Sequence, residues 1–234
     1  MKLFALAFGA HPDDVEMSCG GTLAMLARNG HKFGIVDLTR GEMGTRGNAT
    51  IRAKEAEEAA RILGAEIRVN LRIPDSGIEL NRTNMIKVVE VIRQFKPDVV
   101  FVPYKEERHP DHVHTHQLVS EAVFYSGLRK LRTGKLDAFR PRITLYYMQH
   151  RPFLPTVYVD ISEFYNTKMA AIKAHKSQFY NPGSKDPETV LSTPEFLEYL
   201  IGRMKYFGQL AGVRYAEPFW TVQPLTLKNF SSII

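Results

Sequence analysis

The stretch "KLFALAFGAHPDDVE", residues 2–16, decides how the rest of the chain is read. Its first half is an apolar run of the kind that fills a buried strand. It empties directly into a histidine, a proline and two adjacent aspartates. Neighbouring carboxylates repel each other and lose hydration when even partly buried. A chain tolerates such a pair most readily when a cation sits among them, so Asp13 and Asp14 imply partners elsewhere in the sequence.

Downstream, apolar runs alternate with helical patterns. Strands are expected at residues 4–9, 32–38, 66–71 and 99–102, and helices at 20–29, 50–63 and 84–95. In the second helix Arg52, Lys54, Glu55, Glu57 and Glu58 are interleaved with Ala and Ile, and Gly64 stops it. Met85, Val88, Val89 and Ile92 share one face of the third. The run at 99–102 is apolar on both faces, as in the middle of a parallel sheet. Strand, helix, strand repeated this way implies right-handed crossovers and an α/β fold with a Rossmann-like, doubly wound, mainly parallel sheet.

The later part changes character. Residues 143–148 and 156–160 read as further strands, and Phe196, Leu197, Leu200, Ile201, Met204 and Phe207 as the buried stripe of a long helix. No low-complexity linker or internal repeat interrupts the chain. Residues 1–234 are therefore expected to form one domain, with a core over 1–150 and a C-terminal α/β extension over 151–234.

The net charge is +6, but Lys and Arg are dispersed, and even Arg129-Lys-Leu-Arg132 with Lys135 is a brief cluster. A nucleic-acid partner, which needs a clustered basic face, is not expected. A small acidic substrate accounts for the mild bias. The single cysteine, Cys19, excludes an intramolecular disulfide and is expected to be buried and inert. No apolar run approaches the roughly 18 residues of a membrane span, and the N-terminal run lacks a cleavage pattern. No membrane partner and a cytoplasmic location are expected.

A second anomaly, "PYKEERHPDHVHTH", follows the fourth strand at residues 103–116, and four of the chain's eight histidines lie within 109–116. In a doubly wound sheet the first and fourth strands flank the switch point, and ligands bind outside the strands' carboxyl ends there. The two anomalies should therefore face one another across one crevice. His11, Asp14 and one histidine of the second stretch would make a catalytic zinc site with a position open to water. Asp13 would remain free as a general base. Spacing leaves the third ligand open: His112 and His116 share a helix face, yet using both would close the site. The first strand is not followed by Gly-x-Gly-x-x-Gly, and no Gly-x-Ser-x-Gly elbow occurs, which argues against dinucleotide chemistry and a serine hydrolase.

"AHPDD" paired with "RHPDH" at 108–112 resembles the LmbE-like (PIG-L) zinc-dependent N-acetylglucosamine deacetylases. The resemblance extends to "DLTRGEMGTRG" at 37–47, the helix of Arg52, "KSQF" at 176–179 and "YAEPF" at 215–219. The late motifs are most similar to the bacillithiol branch, which deacetylates N-acetylglucosaminyl malate. The resemblance implies His11, Asp14 and His112 as ligands of one Zn2+ per subunit and Asp13 as the base. It places His109 and Asp111 where they orient the site and stabilise charge on the scissile carbonyl. Arg52 would lie near the sugar or its acidic aglycone. Arg108 and Arg46, the latter in the loop beyond the second strand, are further candidate substrate contacts. Where that branch often carries a tyrosine near the site mouth, this chain has Phe196. By analogy the family also implies a homo-oligomer, a hexamer in many relatives. The expected activity is removal of an N-acetyl group from an N-acetylglucosaminide. Chito-oligosaccharides are the alternative substrate, and a zinc-stabilised sugar-binding protein the alternative class.

Overall fold

Every residue of β1 (Ala5–Gly9) is buried, and the strand lies between two parallel neighbours. A computed structural model describes residues 1–226. After β1, the elements α1 (Asp14–Arg28), β2 (Phe33–Asp37), α2 (Ala49–Leu63), β3 (Ile67–Asn70), α3 (Arg82–Phe95), β4 (Val99–Pro103) and α4 (Pro110–Ser126) alternate. They are followed by β5 (Ile143–Tyr147), β6 (Val157–Asp160), α5 (Tyr165–Ala174), α6 (Pro194–Ala211) and β7 (Ala216–Trp220). The strands form one sheet in the order β3-β2-β1-β4-β5-β7-β6. β1 to β5 are mutually parallel, and β7 runs antiparallel to both β5 and β6. The expected doubly wound α/β sheet is present, with order reversing between β1 and β4. The C-terminal segment extends that sheet.

Strand alternation sends side chains into two separate cores. Ala5 and Ala7 face a core built with α1, α2, α5 and α6, including Leu23, Leu63, Ile172 and Leu200. Leu6 and Phe8 face a second core with α3 and α4, including Val88, Ile92, Leu118 and Val119.

The first helix begins at Asp14, six residues before the run at 20–29 expected from its pattern. It is broken at Cys19, whose φ of −127° and ψ of 16° are not helical. The break orphans backbone groups on both sides, and one buried ion pair satisfies them. Glu217 of β7 accepts from the N–H groups of Gly21 (2.9 Å) and Thr22 (2.8 Å) and from the Thr22 hydroxyl. Lys168 of α5 donates to Ser18 O (3.2 Å) and to Glu217 (2.5 Å). Glu217 thus caps the second half of α1, as an N-terminal carboxylate should. The close packing needs Gly21, since a Cβ there would lie 2.9 Å from Ile161.

Neither α5 nor β7 was legible as a helix or strand. Lys168 interrupts the apolar face of α5, and Pro218 demotes β7 as a strand signal. The proline is accommodated because β5 pairs with β7 only at Phe219 and Trp220. Cys19 is fully buried, and burial raises its thiol pKa, in keeping with the inert reading. Among the described residues, no helix is long and apolar enough to cross a membrane.

Glu217→Gln should lower unfolding free energy by roughly 3–5 kcal/mol, because it strands the Lys168 ammonium in the core. Urea unfolding of the two forms measures this. Adding Lys168→Met should recover part of the loss.

Candidate metal and catalytic site

Loops leaving the carboxyl ends of β1, β4 and β5 meet at the carboxylate of Asp14, the first residue of α1. Asp14 Oδ2 accepts from the backbone N–H of His11 (2.9 Å), and Oδ1 accepts from Gln149 Nε2 (2.8 Å). His112 Nε2 lies 3.2 Å from Oδ1, and His11 Nδ1 3.7 Å from Oδ2. These separations match donors sharing one ion at about 2.0–2.2 Å. The donor atoms of His11, Asp14 and His112 all lie within 4.8 Å of one another. His112 Nδ1 is buried without a hydrogen-bond partner. Two imidazoles and a carboxylate fit zinc chemically, so the expected ligand set is brought together.

The outward nitrogen of His11 is held by more carboxylates. Its Nε2 is 3.1 Å from Asp75 Oδ1 and 3.3 Å from Asp111 Oδ2, the arrangement by which acids orient ligating histidines. Burial works against charge on His11, but the hydrogen bonds with Asp111 and Asp75 outweigh it and push its pKa up to about 10. Burial likewise raises the pKa of Asp14, yet His112 and His11 outweigh it and hold that carboxyl far below the usual range. The cluster favours positive charge at its centre.

Asp13 has a φ of +129°, a region costly for a residue with a Cβ, on the order of 1–3 kcal/mol. Its carboxylate meets Arg52 Nη2 at 3.2 Å. Burial pushes the Asp13 pKa up to about 6 against the opposing pull of Arg52. The neighbouring aspartates therefore occupy different electrostatic settings, Asp14 firmly ionised and Asp13 able to take a proton near neutrality.

Arg52 lines the cavity, but its guanidinium is already engaged: Nη2 also donates to Pro12 O (2.8 Å), and Nη1 to Gly41 O (3.0 Å). Gly41 must lack a side chain, since its φ is +64° and a Cβ would overlap Arg52. Arg46 is buried, outside the cavity lining, with its nearest acid, Asp186, at 3.9 Å. Its carbonyl accepts from Gln178 Nε2 (2.8 Å), and Gln178 does line the cavity. Arg108 is exposed at the cavity.

His109 caps α4 ahead of Pro110. Its Nδ1 accepts the Asp111 N–H (3.2 Å), which places the neutral ring's proton on Nε2. Asp111 turns its own carboxylate to His11 and to the N–H of Ser76 (2.9 Å). His114 is exposed, and His116 Nδ1 lies 2.9 Å from Pro103 O, outside the candidate metal groups. Phe196 is buried and packs on His150, presenting no hydroxyl.

Sequence reasoning missed Asp75, Gln149 and His150. Asp75 lies in the loop beyond β3 and the other two follow β5, all without a clustered motif. Their only signal was position beyond strand carboxyl ends.

A doubly wound α/β sheet carrying a candidate His/Asp metal-binding group at its switch point, with a buried carboxylate beside it, defines the class. Residues 6–123 match the family described as "PIG-L: GlcNAc-PI de-N-acetylase", and the chain belongs to that family of deacetylases. The structure is similar to that of the conserved protein TT1542 from Thermus thermophilus, with a TM-score of 0.88 and 38% identity over 97% of this chain and 98% of that one. Diacetylchitobiose deacetylase of Thermococcus kodakarensis is 32% identical over 91% of this chain and 80% of its own length. "Probable N-acetyl-alpha-D-glucosaminyl L-malate deacetylase 2" of Bacillus anthracis is 27% identical over 94% of each chain.

Purified protein dialysed against zinc should hold one ion per chain, and His112→Ala should lose it while His116→Ala keeps it. Gln149→Leu should retain the ion with affinity weakened about 10–100-fold, the usual worth of a ligand-orienting group. Metal analysis after dialysis against graded chelator reads all three.

Proposed function

We propose that the protein is a zinc-dependent amide hydrolase that removes the acetyl group from an N-acetylglucosaminide, N-acetylglucosaminyl malate being the leading substrate. The observation that carries this reading is the His11–Asp14–His112 donor set with the Asp13 carboxylate beside it, in a cavity of ≈ 190 Å³. Zinc held by those three residues supplies Lewis acidity to the water and to the acetyl carbonyl. Asp13 takes the proton as the water oxygen bonds to the carbonyl carbon. His109, protonated on Nε2, donates to the oxygen on which charge develops. The C–N bond then breaks, Asp13 returns its proton to the leaving amine, and acetate and a free amino sugar remain. Arg52 keeps Asp13 ionised between turnovers, and Asp111 with Asp75 fixes the His11 ring.

The exposed guanidinium of Arg108 at the cavity supports an acidic aglycone, since it is free to pair with a carboxylate. The Bacillus relative supports malate in that role. A second reading, a chito-oligosaccharide, is supported by the Thermococcus relative, which covers a similar share of the chain. In either case the protein acts on a small amino sugar, and we extend to it the oligomeric habit of the family.

Acetate release from N-acetylglucosaminyl malate, N-acetylglucosamine and diacetylchitobiose separates these readings. The zinc-loaded protein should turn over the malate conjugate best, and Arg108→Ala should erase that advantage while leaving free N-acetylglucosamine little changed. Preference for diacetylchitobiose would install the second reading. Asp13→Asn should keep its zinc and lose roughly 10²–10⁴ in kcat. Normal turnover by that variant would move the base elsewhere, with His109 the first group to examine.

A further inference from the structure

The cavity lining divides by chemistry. Asp75, Ser76 and His109 supply polar groups suited to sugar hydroxyls, with Arg108 left for the aglycone. Met17 and Leu191, together with the ring of His150, supply a less polar part of the same lining. Met17 lies one helical turn beyond Asp13 and Asp14, and both it and Leu191 are continuous with the hydrophobic core. This less polar part therefore adjoins the metal ligands.

His150 is fixed from both ends. Glu107, a buried residue of the loop after β4, accepts from the backbone N–H groups of His150 (2.6 Å) and Arg151 (3.4 Å). The imidazole stacks on His112 with centroids 6.3 Å apart and planes 19° apart. Behind it stands Phe196 at 5.7 Å, itself backed by Phe179 at 6.2 Å. Both ring nitrogens of His150 are buried without hydrogen-bond partners. The ring lines the cavity, and its packing on His112 and Phe196 leaves it little room to retreat.

We propose that His150 and Leu191 form an acyl-length wall, which admits the methyl end of an acetyl group and excludes longer acyl chains. The inference rests on the amide-hydrolase reading above. The acyl carbon must reach the metal ligands and Asp13, and its alkyl end, having no hydrogen-bonding capacity, turns to the less polar part of the lining. The sugar takes the polar groups, where its hydroxyls find partners. One methylene in a closed apolar pocket is worth about 10–200-fold in discrimination.

The test compares N-acetyl- and N-butyrylglucosamine as substrates of the zinc-loaded protein. Leu191→Ala and His150→Ala should each shift the kcat/KM ratio towards the butyryl amide by at least about tenfold. His150→Phe, which keeps a flat ring and removes both nitrogens, should preserve the parent ratio. A parallel measurement titrates acetate and butyrate, the product carboxylates, into the same zinc-loaded proteins by calorimetry, and the alanine variants should gain affinity for butyrate relative to acetate. Unchanged ratios in both alanine variants would overturn the proposal. So would an equal shift in His150→Phe and His150→Ala, because the imidazole would then act through a hydrogen bond. If the parent cleaves neither amide, the hydrolase reading fails, and the carboxylate binding ratios still decide whether the wall exists.

Discussion

One carboxylate, that of Asp14, ties together loops from three adjacent strands. It accepts from His11 after β1 and Gln149 after β5, and it faces His112 in the helix after β4. A buried carboxylate without partners would be expensive, so the three loops are held by the same demand that the charge be answered. Gln149 itself is held through its carbonyl by Arg203 of α6, which also donates to Met17 O (3.2 Å). The C-terminal helix thereby reaches the site without supplying a ligand.

A second constraint separates two residues that sequence places side by side. Asp13 and Asp14 cannot both sit among the histidines without repulsion, and the backbone resolves the conflict by taking Asp13 through a positive φ. The strain is retained because Arg52 meets the displaced carboxylate. Arg52 in turn is anchored to the carbonyls of Pro12 and Gly41, so the loops after β1 and β2 are pinned by one guanidinium. Its guanidinium thus supports Asp13 electrostatically while still lining the cavity, where the family resemblance implies a substrate contact.

The first four strands and their helices were legible because buried parallel strands are apolar runs and their covering helices are amphipathic. His11, Asp13 and Asp14 were legible because they lie in a dense polar cluster abutting such a run, and the switch-point rule brings the histidine-rich cluster to face them; singling out His109, Asp111 and His112 within that cluster took the family resemblance. What escaped notice depends on partners remote in sequence. Lys168 looks like a surface residue until Glu217 is beside it, and Pro218 looks like a breaker until the pairing of β5 is seen to end. Asp75 and Gln149 lie in loops beyond strand ends, with no dense acidic or histidine cluster to mark them. Arg52 shows the converse: a basic residue near a site says little about whether its charge is already spoken for.

The broken helix α1 has a consequence for the order in which the molecule is assembled. Every group of the candidate metal set is encoded by residue 112, yet the break in the helix that begins with Asp14 is capped by Glu217, about a hundred residues further on. On a ribosome adding about 5–20 residues per second, the intervening hundred or so residues take roughly 5–20 seconds to emerge. During that interval the nascent chain carries its histidines and aspartates with Ser18, Gly21 and Thr22 still uncapped. The candidate metal set therefore reaches its finished geometry late in biosynthesis, with the docking of β7.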